Sequence, residues 1–509
     1  MSDTDQKIKT LDELAVIVAA AQAQGQTVVH CHGVFDLLHP GHLRHFEAAR
    51  RLGDVLIVTL TRDEFVNKGP GRPVFNQRLR AESIAALAAV DYVAINDWPT
   101  AVDTIYKLRP NLYVKGSEYA ARDKDLTGKI YDEEAAVEAV GGALAFTDDI
   151  TFSSTQLLNS FFDVFSAPAD AFLRDFRTRY SADAVIGRLK SLRDLRVLVV
   201  GDAIIDEYHY CKAVGKSSKS SNLSSRFLYS ETYAGGALAV ANHVAGFCQD
   251  VRLVTVLGAA ESYEAFIRDH LKPNVTPHFV VRPDAPTVLK RRFVDPFLIS
   301  KMFEVCYLDD RALPAAQQAA LRDHLVQVLP EVDLVLVADF GHGALDAGTI
   351  DLLTGRARFL ALNTQTNSLN QGFNVVTHYP RADYVCIDEA EMRLAARQRF
   401  APVADLIPAL AEQMHARAVN VTLGTEGSLS YTVADGLSAV PVFSNEVVDS
   451  IGAGDAYLAI TSPCVAAGFP ADLVGFVGNC VGALAVRIVG NKESVEPTVL
   501  YKFITTLLK

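Results

Sequence analysis

The sequence predicts an α/β fold of two doubly wound parallel-sheet domains in series. Short, strongly apolar segments alternate with stretches of helical periodicity, and this alternation occurs twice along the 509 residues, as repeated βαβ units require. At about 100–200 residues per domain, this length favours two or three domains. Half of the residues are hydrophobic and 21% are charged, so each domain can bury a large core.

The first alternating series is expected to form a Rossmann-like domain over residues 1–160. Its apolar runs predict the strands of a parallel sheet, and helical periodicity predicts the segments between them. The predicted strands are 27–32, 54–60, 91–95 and 111–115, and the predicted helices are 11–23, 40–52 and 76–89.

The second alternating series is expected to form a larger domain over residues 193–509. Its predicted buried strands are 195–201, 251–257, 332–338, 358–362, 383–387 and 418–423. Polar and apolar residues alternate in a β-like manner at 203–235 and 275–307, which predicts a small β lid beside the main sheet. Residues 161–192 are rich in helix formers and lack strand patterning, so we expect a helical connector there.

The composition disfavours several classes of partner. The formal net charge is −12, which argues against non-specific nucleic-acid binding, although a local basic site could still hold phosphate. The seven cysteines form no C-x-x-C pair, as expected for small buried residues in a reducing compartment. We expect a cytoplasmic protein without a membrane segment, because no apolar run is long enough to span a bilayer and no signal-peptide pattern occurs.

Two histidines flank the predicted start of a helix directly after the first strand. His39 and His42 enclose Pro40, which suits a first helical turn, and Gly41, which permits close approach of a phosphate. Backbone N–H groups at a helix start bind anions. Imidazoles there can donate hydrogen bonds to charge that develops on a transferring phosphoryl group. Leu43, Phe46 and Ala49 are expected to form the buried stripe of this helix.

The run GVFDLLHPGH at 33–42 resembles the nucleotidyltransferase superfamily, whose members join a phosphate-bearing substrate to a nucleotide and release pyrophosphate. Further segments agree in order and spacing, namely RPVFNQR at 72–78, YVKG at 113–116 and FSSTQLL at 152–158. The resemblance implies that His39 and His42 stabilise the transition state. It also implies nucleotide or phosphate contacts from Gly33, Phe35, Asp36, Lys68, Arg78, Lys115, Ser153, Ser154 and Thr155. Asp36 either organises the first loop in this way or only forms its turn.

A second glycine-containing helix start lies at 449–457, with the sequence DSIGAGDAY. The backbone N–H groups of Gly452, Ala453 and Gly454 can form an anion hole for a phosphate. Asp455 follows directly and is a candidate general base.

This run resembles the C-terminal motif of ribokinase-like PfkB sugar kinases. Other segments agree, namely GDAIID at 201–206, a glycine pair at 235–236 and VTLGTEG at 421–427. The resemblance implies ATP as the donor and Mg²⁺ as the cofactor. The sugar contacts it implies are Asp206, Gly235 and Gly236, and the nucleotide contacts are Thr422, Gly424, Gly427, Gly452, Ala453, Gly454 and Asn479. Asp388 and Glu391 occupy the segment that organises Mg²⁺ in these kinases.

Together the two centres resemble the bifunctional enzymes of bacterial ADP-heptose synthesis, in which the kinase domain comes first. That resemblance implies phosphorylation of a heptose-like sugar and nucleotidyl transfer to a sugar 1-phosphate, giving a nucleotide-activated sugar for surface polysaccharide. Ala239, His342 and the segment 363–366 stand where an Asn and two lysines are expected, which leaves the sugar and its phosphorylation state open. The basic residues at 290–292 either compensate for these lysines or form a solvated strand face.

Other functions remain open at the level of the sequence. A polyol-phosphate cytidylyltransferase could be fused to a kinase that prepares its substrate, and CTP would then serve the first domain. Asp148 and Asp149 favour ATP, because the cytidylyltransferase branch carries an Arg in that area. The kinase half could instead be retained only for binding or dimerisation. By analogy with ribokinase-like proteins, we expect a homodimer that forms through the β lid.

Overall fold

The computed structural model describes residues 3–66, 72–116, 129–147, 165–216, 223–297, 300–444 and 446–509. The chain divides into two compact units. Unit 1 comprises residues 1–164 with 501–509, and unit 2 comprises residues 165–500.

Unit 1 is built on a five-stranded sheet in which every strand pair is parallel and the strand order is β3-β2-β1-β4-β5. The strands are β1 (Val28–Gly33), β2 (Val55–Leu60), β3 (Tyr92–Ile95), β4 (Leu112–Gly116) and β5 (Ala143–Thr147). The described helices are α1 (Asp3–Lys7), α2 (Leu11–Ala23), α3 (Pro40–Arg50), α4 (Gln77–Ala85), α5 (Val102–Leu108) and α6 (Lys129–Ala139). The strand order reverses between β1 and β4, and this switch point is where such folds bind ligands.

Unit 2 contains a twelve-stranded sheet system. Its strands are β6 (Arg196–Lys216), β7 (Leu223–Gly236), β8 (Asp250–Ala260), β9 (Val275–Pro286), β10 (Val288–Asp295), β11 (Ser300–Tyr307), β12 (Leu334–Asp339), β13 (Leu360–Thr364), β14 (Tyr384–Asp388), β15 (Ala418–Thr422), β16 (Ser428–Thr432) and β17 (Gly436–Val440). Strands β8 and β9 lie on one side of β6, whereas β12 to β15 lie on the other, all in parallel pairs. The switch point of this sheet therefore lies between β6 and β12.

Helices cover the sheet of unit 2 and bury its apolar strands. The described helices are α7 (Ala167–Arg179), α8 (Ala182–Lys190), α9 (Ala237–Ala245), α10 (Glu264–His270), α11 (Ala315–Val328), α12 (Ala347–Arg356), α13 (Glu389–Ala396), α14 (Val403–Gln413), α15 (Ala453–Ala466) and α16 (Ala471–Ala485). A last helix, α17 (Pro497–Leu508), has most of its residues in unit 1. All six residues of β12 are buried, as expected for a central parallel strand with both faces covered.

The β lid is an extension of the main sheet. Strand β6 pairs with β8 and β12 in its first half and continues past Asp202 to pair with β7 and β10. One continuous strand thus carries residues from the main sheet into the lid. The lid also presents large apolar side chains to solvent, namely Val214, Phe227, Leu228, Tyr229, Met302, Phe303, Val305 and Tyr307.

The structure confirms the predicted α/β class. The sheet of unit 1 is parallel, and that of unit 2 has a parallel centre to which β7, β11, β16 and β17 add antiparallel pairs. The predicted helix at 11–23 is α2, and the predicted strands begin and end within a few residues of the observed ones. Strand β6 is the exception, because it continues to Lys216, well beyond the predicted end at residue 201.

Helix α3 turns most of the expected face inward. Phe46 and Ala49 are buried, as predicted. Leu43 is 41% exposed, so the expectation that it also belongs to the buried stripe is wrong.

The described part of the expected helical connector groups with unit 2. It begins at residue 165 and forms α7 and α8. Among the described residues, no helix is both long and apolar enough to cross a membrane.

Candidate active sites

The first candidate site lies where β1 ends and α3 begins in unit 1. His39 is the N-cap residue of α3, Pro40 occupies its first turn, and the rings of His39 and His42 stack with their centroids 3.8 Å apart. The rings of Phe35 and His42 form a T-shaped pair with their centroids 5.3 Å apart. The two predicted catalytic histidines are therefore held together at a helix start, where backbone N–H groups favour an anion.

The loop before α3 has a backbone that depends on its sequence. Phe35 has a φ of +47°, in the left-handed region that non-glycine residues rarely adopt. A Cβ atom at Gly33 would lie 2.9 Å from the Phe35 ring. Glycine at position 33 therefore lets the Phe35 ring fold back towards the first turn of α3.

Asp36 connects this loop to the segment before α4. Its carboxylate accepts hydrogen bonds from the backbone N–H groups of Val74 at 2.7 Å and Phe75 at 3.3 Å. It also lies 3.6 Å from the guanidinium of Arg72, and both side chains are almost completely buried. These contacts give Asp36 the loop-organising role that the sequence allowed.

Lys115 lies near the carboxyl end of β4, beside β1. Its ammonium lies 2.8 Å from Glu133, and both side chains are nearly buried. This position at the switch point agrees with the predicted nucleotide contact. The assignment of Lys115 stays a prediction.

The predicted phosphate contact Arg78 lies at the surface. Its side chain is 79% exposed and donates a hydrogen bond of 2.9 Å to Glu82 on the same helix. In the described structure, Arg78 is thus directed along its own helix. The predicted contacts Lys68, Ser153, Ser154 and Thr155, together with Asp148 and Asp149, lie outside the described residues.

Arg80 is the buried arginine of α4. Its guanidinium donates to the carbonyl of Val34 at 2.5 Å, to the carbonyl of Thr61 at 2.8 Å and to the carboxylate of Asp63 at 2.6 Å. It therefore ties the loop after β1 to the loop after β2. Arg80 was not predicted from the sequence, although its place on the inward face of α4 could have indicated it.

The second candidate site is a cavity of about 650 Å³ in unit 2. It lies at the carboxyl ends of the central strands, where Asp388 ends β14 and Thr422 ends β15. The predicted residues that line it are Asp206, Gly236, Asp388, Thr422, Gly424, Gly427, Gly452, Ala453, Gly454, Asp455 and Asn479. The fold therefore brings most of the predicted kinase residues to one cavity.

The start of α15 forms one wall of this cavity. Gly452 has a φ of +82°, and a side chain there would collide with Asn491. A Cβ atom at Gly454 would meet nothing within 4 Å, and Gly452, Ala453 and Gly454 all line the cavity. The first N–H groups of a helix have no partner within it, which makes this turn suited to a phosphate.

Asp455 follows this turn and faces the same cavity. Burial and, to a smaller extent, the charge of Asp206 raise the pKa of its carboxyl to about 7, whereas the charge of Lys290 acts in the opposite direction. A carboxylate whose pKa lies near neutral pH is matched to the role of a general base.

Asp206 also lines the cavity, where β6 enters the lid. Its carboxylate forms an ion pair with Arg292 and accepts a hydrogen bond of 3.4 Å from Asn491. A side chain at Gly235 would collide with Asp206, and Gly236 has a φ of +58°. The glycine pair thus leaves room for the Asp206 carboxylate. Asn491 lines the cavity as well, and it was not predicted from the sequence.

One part of the cavity wall is predominantly apolar. Val442, Phe443, Ala483 and Val486 line it, and Asn479 is fixed by a hydrogen bond of 2.6 Å to Ser428. Apolar walls with a few placed polar groups are typical of sites for small ligands with an apolar part, such as a nucleotide base.

Asp388 and Glu391 form the capping box of α13. Each carboxylate accepts the backbone N–H of the other residue, and Glu391 also accepts from Thr366 at 3.0 Å. Burial and the Asp388 charge raise the pKa of Glu391 to about 8, and Glu391 does not line the cavity, whereas Asp388 does. The geometry therefore fits Asp388, rather than Glu391, as a direct ligand.

Mg²⁺ that is bound mainly through nucleotide phosphates needs only one or two protein carboxylates. The part of the chain that the structure describes holds no group of three or more His, Cys, Asp and Glu side chains suited to a metal ion. Asp388 offers a single carboxylate in the same cavity as the anion-binding start of α15. This arrangement fits a Mg²⁺ ion that is held mainly by nucleotide phosphates.

Unit 2 has a ribokinase-like kinase fold. Its doubly wound sheet carries a β lid, and an aspartate follows the glycine-containing helix start. The pfkB family carbohydrate kinase model matches residues 194–498, which is more than half of the chain. The chain therefore belongs to the pfkB family of carbohydrate kinases. A cytidylyltransferase-like model matches residues 30–159, so a Rossmann-like nucleotidyltransferase region precedes the kinase region.

Curated relatives include the bifunctional protein HldE of Trichlorobacter lovleyi, 39% identical over 155 residues, and that of Geobacter sulfurreducens, 42% identical over 149 residues. These alignments cover 30% and 28% of this chain and 30% and 29% of the relatives. The chain thus matches less than a third of the length of these relatives. The solved phosphofructokinase-2 from Escherichia coli in complex with substrates and products has a TM-score of 0.50 and 13% identity, over 62% of this chain and 100% of that chain. At this identity the similarity supports the fold alone.

Proposed function

We propose that this chain is a bifunctional enzyme that acts on a heptose-like sugar. Unit 2 phosphorylates the sugar with ATP, and unit 1 transfers a nucleotidyl group from a nucleoside triphosphate to a sugar 1-phosphate and releases pyrophosphate. The observation that carries the proposal is the convergence of Asp206, Asp455 and the start of α15 on one cavity. The stacked His39 and His42 at the start of α3 support the second activity.

The kinase step follows from the residues around the cavity. Asp206 accepts a hydrogen bond from a sugar hydroxyl, and Asp455 takes the proton of the hydroxyl that reacts. The hydroxyl oxygen attacks the γ-phosphorus of ATP, and ADP leaves. The N–H groups at the start of α15 stabilise the charge on the transferred group. Mg²⁺ supplies neutralisation of phosphate charge when it is bound.

The nucleotidyl transfer step requires no covalent enzyme intermediate. A phosphate oxygen of the sugar 1-phosphate attacks the α-phosphorus of the nucleotide in line, and pyrophosphate leaves. His39 and His42 donate hydrogen bonds to the oxygens on which charge develops. Lys115, which forms an ion pair with Glu133, lies at the adjacent strand end.

Several basic side chains near the cavity are unavailable to an anionic acceptor. Burial lowers the pKa of His342 to about 3, so this histidine carries no charge and cannot replace the lysine expected at its position. Arg291 is paired with Glu207, and Arg292 is paired with Asp206 and Glu304. These three residues therefore offer no free positive charge.

Lys290 is the basic residue of this run that supports a phosphorylated acceptor sugar. It is 6% exposed, it lines the cavity, and it has no ion pair with any described residue. It stands in register with Asp206 on the neighbouring strand, so both side chains leave the same face of the sheet. Its ammonium lies 5.9 Å from the centroid of the Phe340 ring. A buried charge that lacks an ion-pair partner is costly, and an anionic group on the acceptor would supply one.

Replacing Lys290 with Met should raise the KM for a phosphorylated acceptor by about 10- to 100-fold, because a hydrogen bond to a charged group contributes about 1.5–3 kcal/mol. The KM for ATP should stay the same. ADP release with an aldoheptose 7-phosphate and with the same aldoheptose without phosphate measures the effect. Lys212→Met, an exposed position on β6, is the control. A raised KM for ATP with an unchanged acceptor KM would assign Lys290 to the nucleotide instead.

Both activities can be tested in one experiment on the full chain. Each of the four nucleoside triphosphates is incubated with a panel of sugar 1-phosphates and pyrophosphate is measured, while ADP release is measured with ATP and unactivated sugars. We expect both products, with ATP as the preferred nucleotidyl donor. Selective use of CTP with a polyol phosphate would favour the cytidylyltransferase alternative. Pyrophosphate without ADP release on any acceptor would favour a kinase half retained for binding.

The exposed apolar side chains of the lid support a homodimer. Apolar surface of this kind marks interaction sites, and Phe227 and Phe303 are each 54% exposed on it. Light scattering of the full chain should give twice the mass of one chain. A monomeric mass at micromolar concentration would contradict the dimer.

A further inference from the structure

The segment between the two family matches contains α7, whose role neither match assigns. Helix α7 is amphipathic: Leu173 and Phe176 are fully buried, whereas Arg174 is exposed. Ser166 caps the helix by accepting the N–H of Ala169. A helix with such an apolar face derives its stability from the surface on which it packs.

The apolar face of α7 packs against two parts of the kinase unit. Phe176 stacks on Phe476 of α16 with the ring centroids 4.3 Å apart. Phe172 lies 6.0 Å from Phe443, and Phe443 lies 5.4 Å from Phe476. The four rings form one aromatic cluster, and aromatic pairs at such distances add stability beyond the area that they bury.

Polar contacts fix the same helix at its C-terminal end. Arg179 forms an ion pair with Asp472 in the first turn of α16. Tyr180 donates a hydrogen bond of 3.2 Å to the same carboxylate. Helix α16 is thus held by α7 at its start and again one turn later at Phe476.

Both parts of the kinase unit that α7 contacts also contribute to the cavity. Phe443 lines it directly, and α16 contributes Asn479, Gly482 and Ala483. These residues belong to the apolar part of the cavity wall. The aromatic cluster therefore stands behind the wall that would hold a nucleotide base.

We propose that α7 supports the nucleotide site of the kinase unit from behind, and that Phe172 is a positioning residue that acts through Phe443. The proposal rests on the proposed kinase function and assigns the predicted connector to nucleotide binding. Phe172 fixes the position of the Phe443 ring, and Phe176 fixes α16 with Asn479. Neither Phe172 nor Phe176 lines the cavity itself.

Phe172→Ala in the full chain tests this proposal. We expect the KM for ATP to rise by about three- to tenfold, with kcat and the KM for the acceptor unchanged. Phe172→Leu should restore most of the affinity, because it refills the space against Phe443. Phe266→Ala, which removes a half-buried ring that stacks on His270 and does not line the cavity, is the matched control.

Direct binding of a fluorescent ATP analogue separates this proposal from the proposed function, because binding requires no acceptor. Weaker binding by Phe172→Ala but not by Phe266→Ala supports the role of α7, even where no sugar is phosphorylated. Equal affinity of wild type and Phe172→Ala would overturn it while leaving the kinase function intact. An equal loss in both variants would also overturn it, since the effect would then be general destabilisation. Pyrophosphate release by unit 1 should be the same in every variant.

Discussion

Asp455→Asn is expected to lower sugar phosphorylation by about 10²- to 10⁴-fold, the contribution of a positioned general base. The substitution keeps the shape of the side chain but removes its ability to accept a proton. ADP release at saturating ATP and sugar measures the loss. Pyrophosphate release from a supplied sugar 1-phosphate should be unchanged, because the residues proposed for that reaction belong to unit 1.

The pH dependence of phosphorylation gives a second measurement of the same residue. Asp455 must be deprotonated to act as a base, and its pKa is raised to about 7, mainly by burial. The rate should therefore fall as the pH drops through about 7 and level off above it. The charge of Lys290 lowers the pKa of Asp455. Lys290→Met should therefore shift the pH at which the rate begins to fall to a higher value.

Asp351→Asn is the control for Asp455→Asn, because Asp351 is exposed on α12 and lies outside the cavity. It should leave both activities unchanged. An unaltered phosphorylation rate in Asp455→Asn would remove this residue from the role of base. Equal losses of phosphorylation and pyrophosphate release would show that the two activities depend on each other.

The sequence predicted the parallel sheets because their strands carry continuous apolar runs. Strand β12 is such a run, and all of it is buried. The length of β6 was not predictable in this way. Its first part is a continuous apolar run, whereas its part in the lid alternates polar and apolar residues, so the two parts look like separate strands. Only the pairing of one strand with β8 and then with β7 joins them.

The positions of the candidate site residues were predictable where a short sequence motif determines the local backbone conformation. The glycines at 452 and 454 and the histidines of α3 stand at helix starts, as their local sequence requires. The ion-pair partner of each charged side chain was not predictable, because the two members of a pair can lie far apart in the chain. Arg292 pairs with Asp206 across 86 positions, which leaves the neighbouring Lys290 as the one residue of 290–292 without an ion pair among the described residues. The exposure of Arg78 likewise depends on the rotation of α4 against the sheet.

His42→Ala is expected to lower nucleotidyl transfer by about 10²-fold or more, as the loss of one preorganised donor to a developing charge does in other enzymes. The ring of His42 is oriented by its stack on His39 at 3.8 Å and by its T-shaped pairing with Phe35. The position of the His42 ring is therefore set before the substrate binds. A preorganised donor of this kind contributes most to the rate, so its removal should cause a large loss. Pyrophosphate release at saturating nucleotide and sugar 1-phosphate measures the rate.

The location of His42 within α3 allows a control on the same helix. Nδ1 of His45 forms a hydrogen bond of 2.9 Å with the Thr147 hydroxyl, and His45 has no proposed catalytic role. His45→Ala should therefore change the rate far less than His42→Ala. ADP release should be unaffected by both changes. A wild-type rate in His42→Ala would show that the N–H groups at the start of α3 stabilise the transition state without this imidazole. A large loss confined to His42→Ala would instead assign the ring to the charge that develops on the α-phosphate.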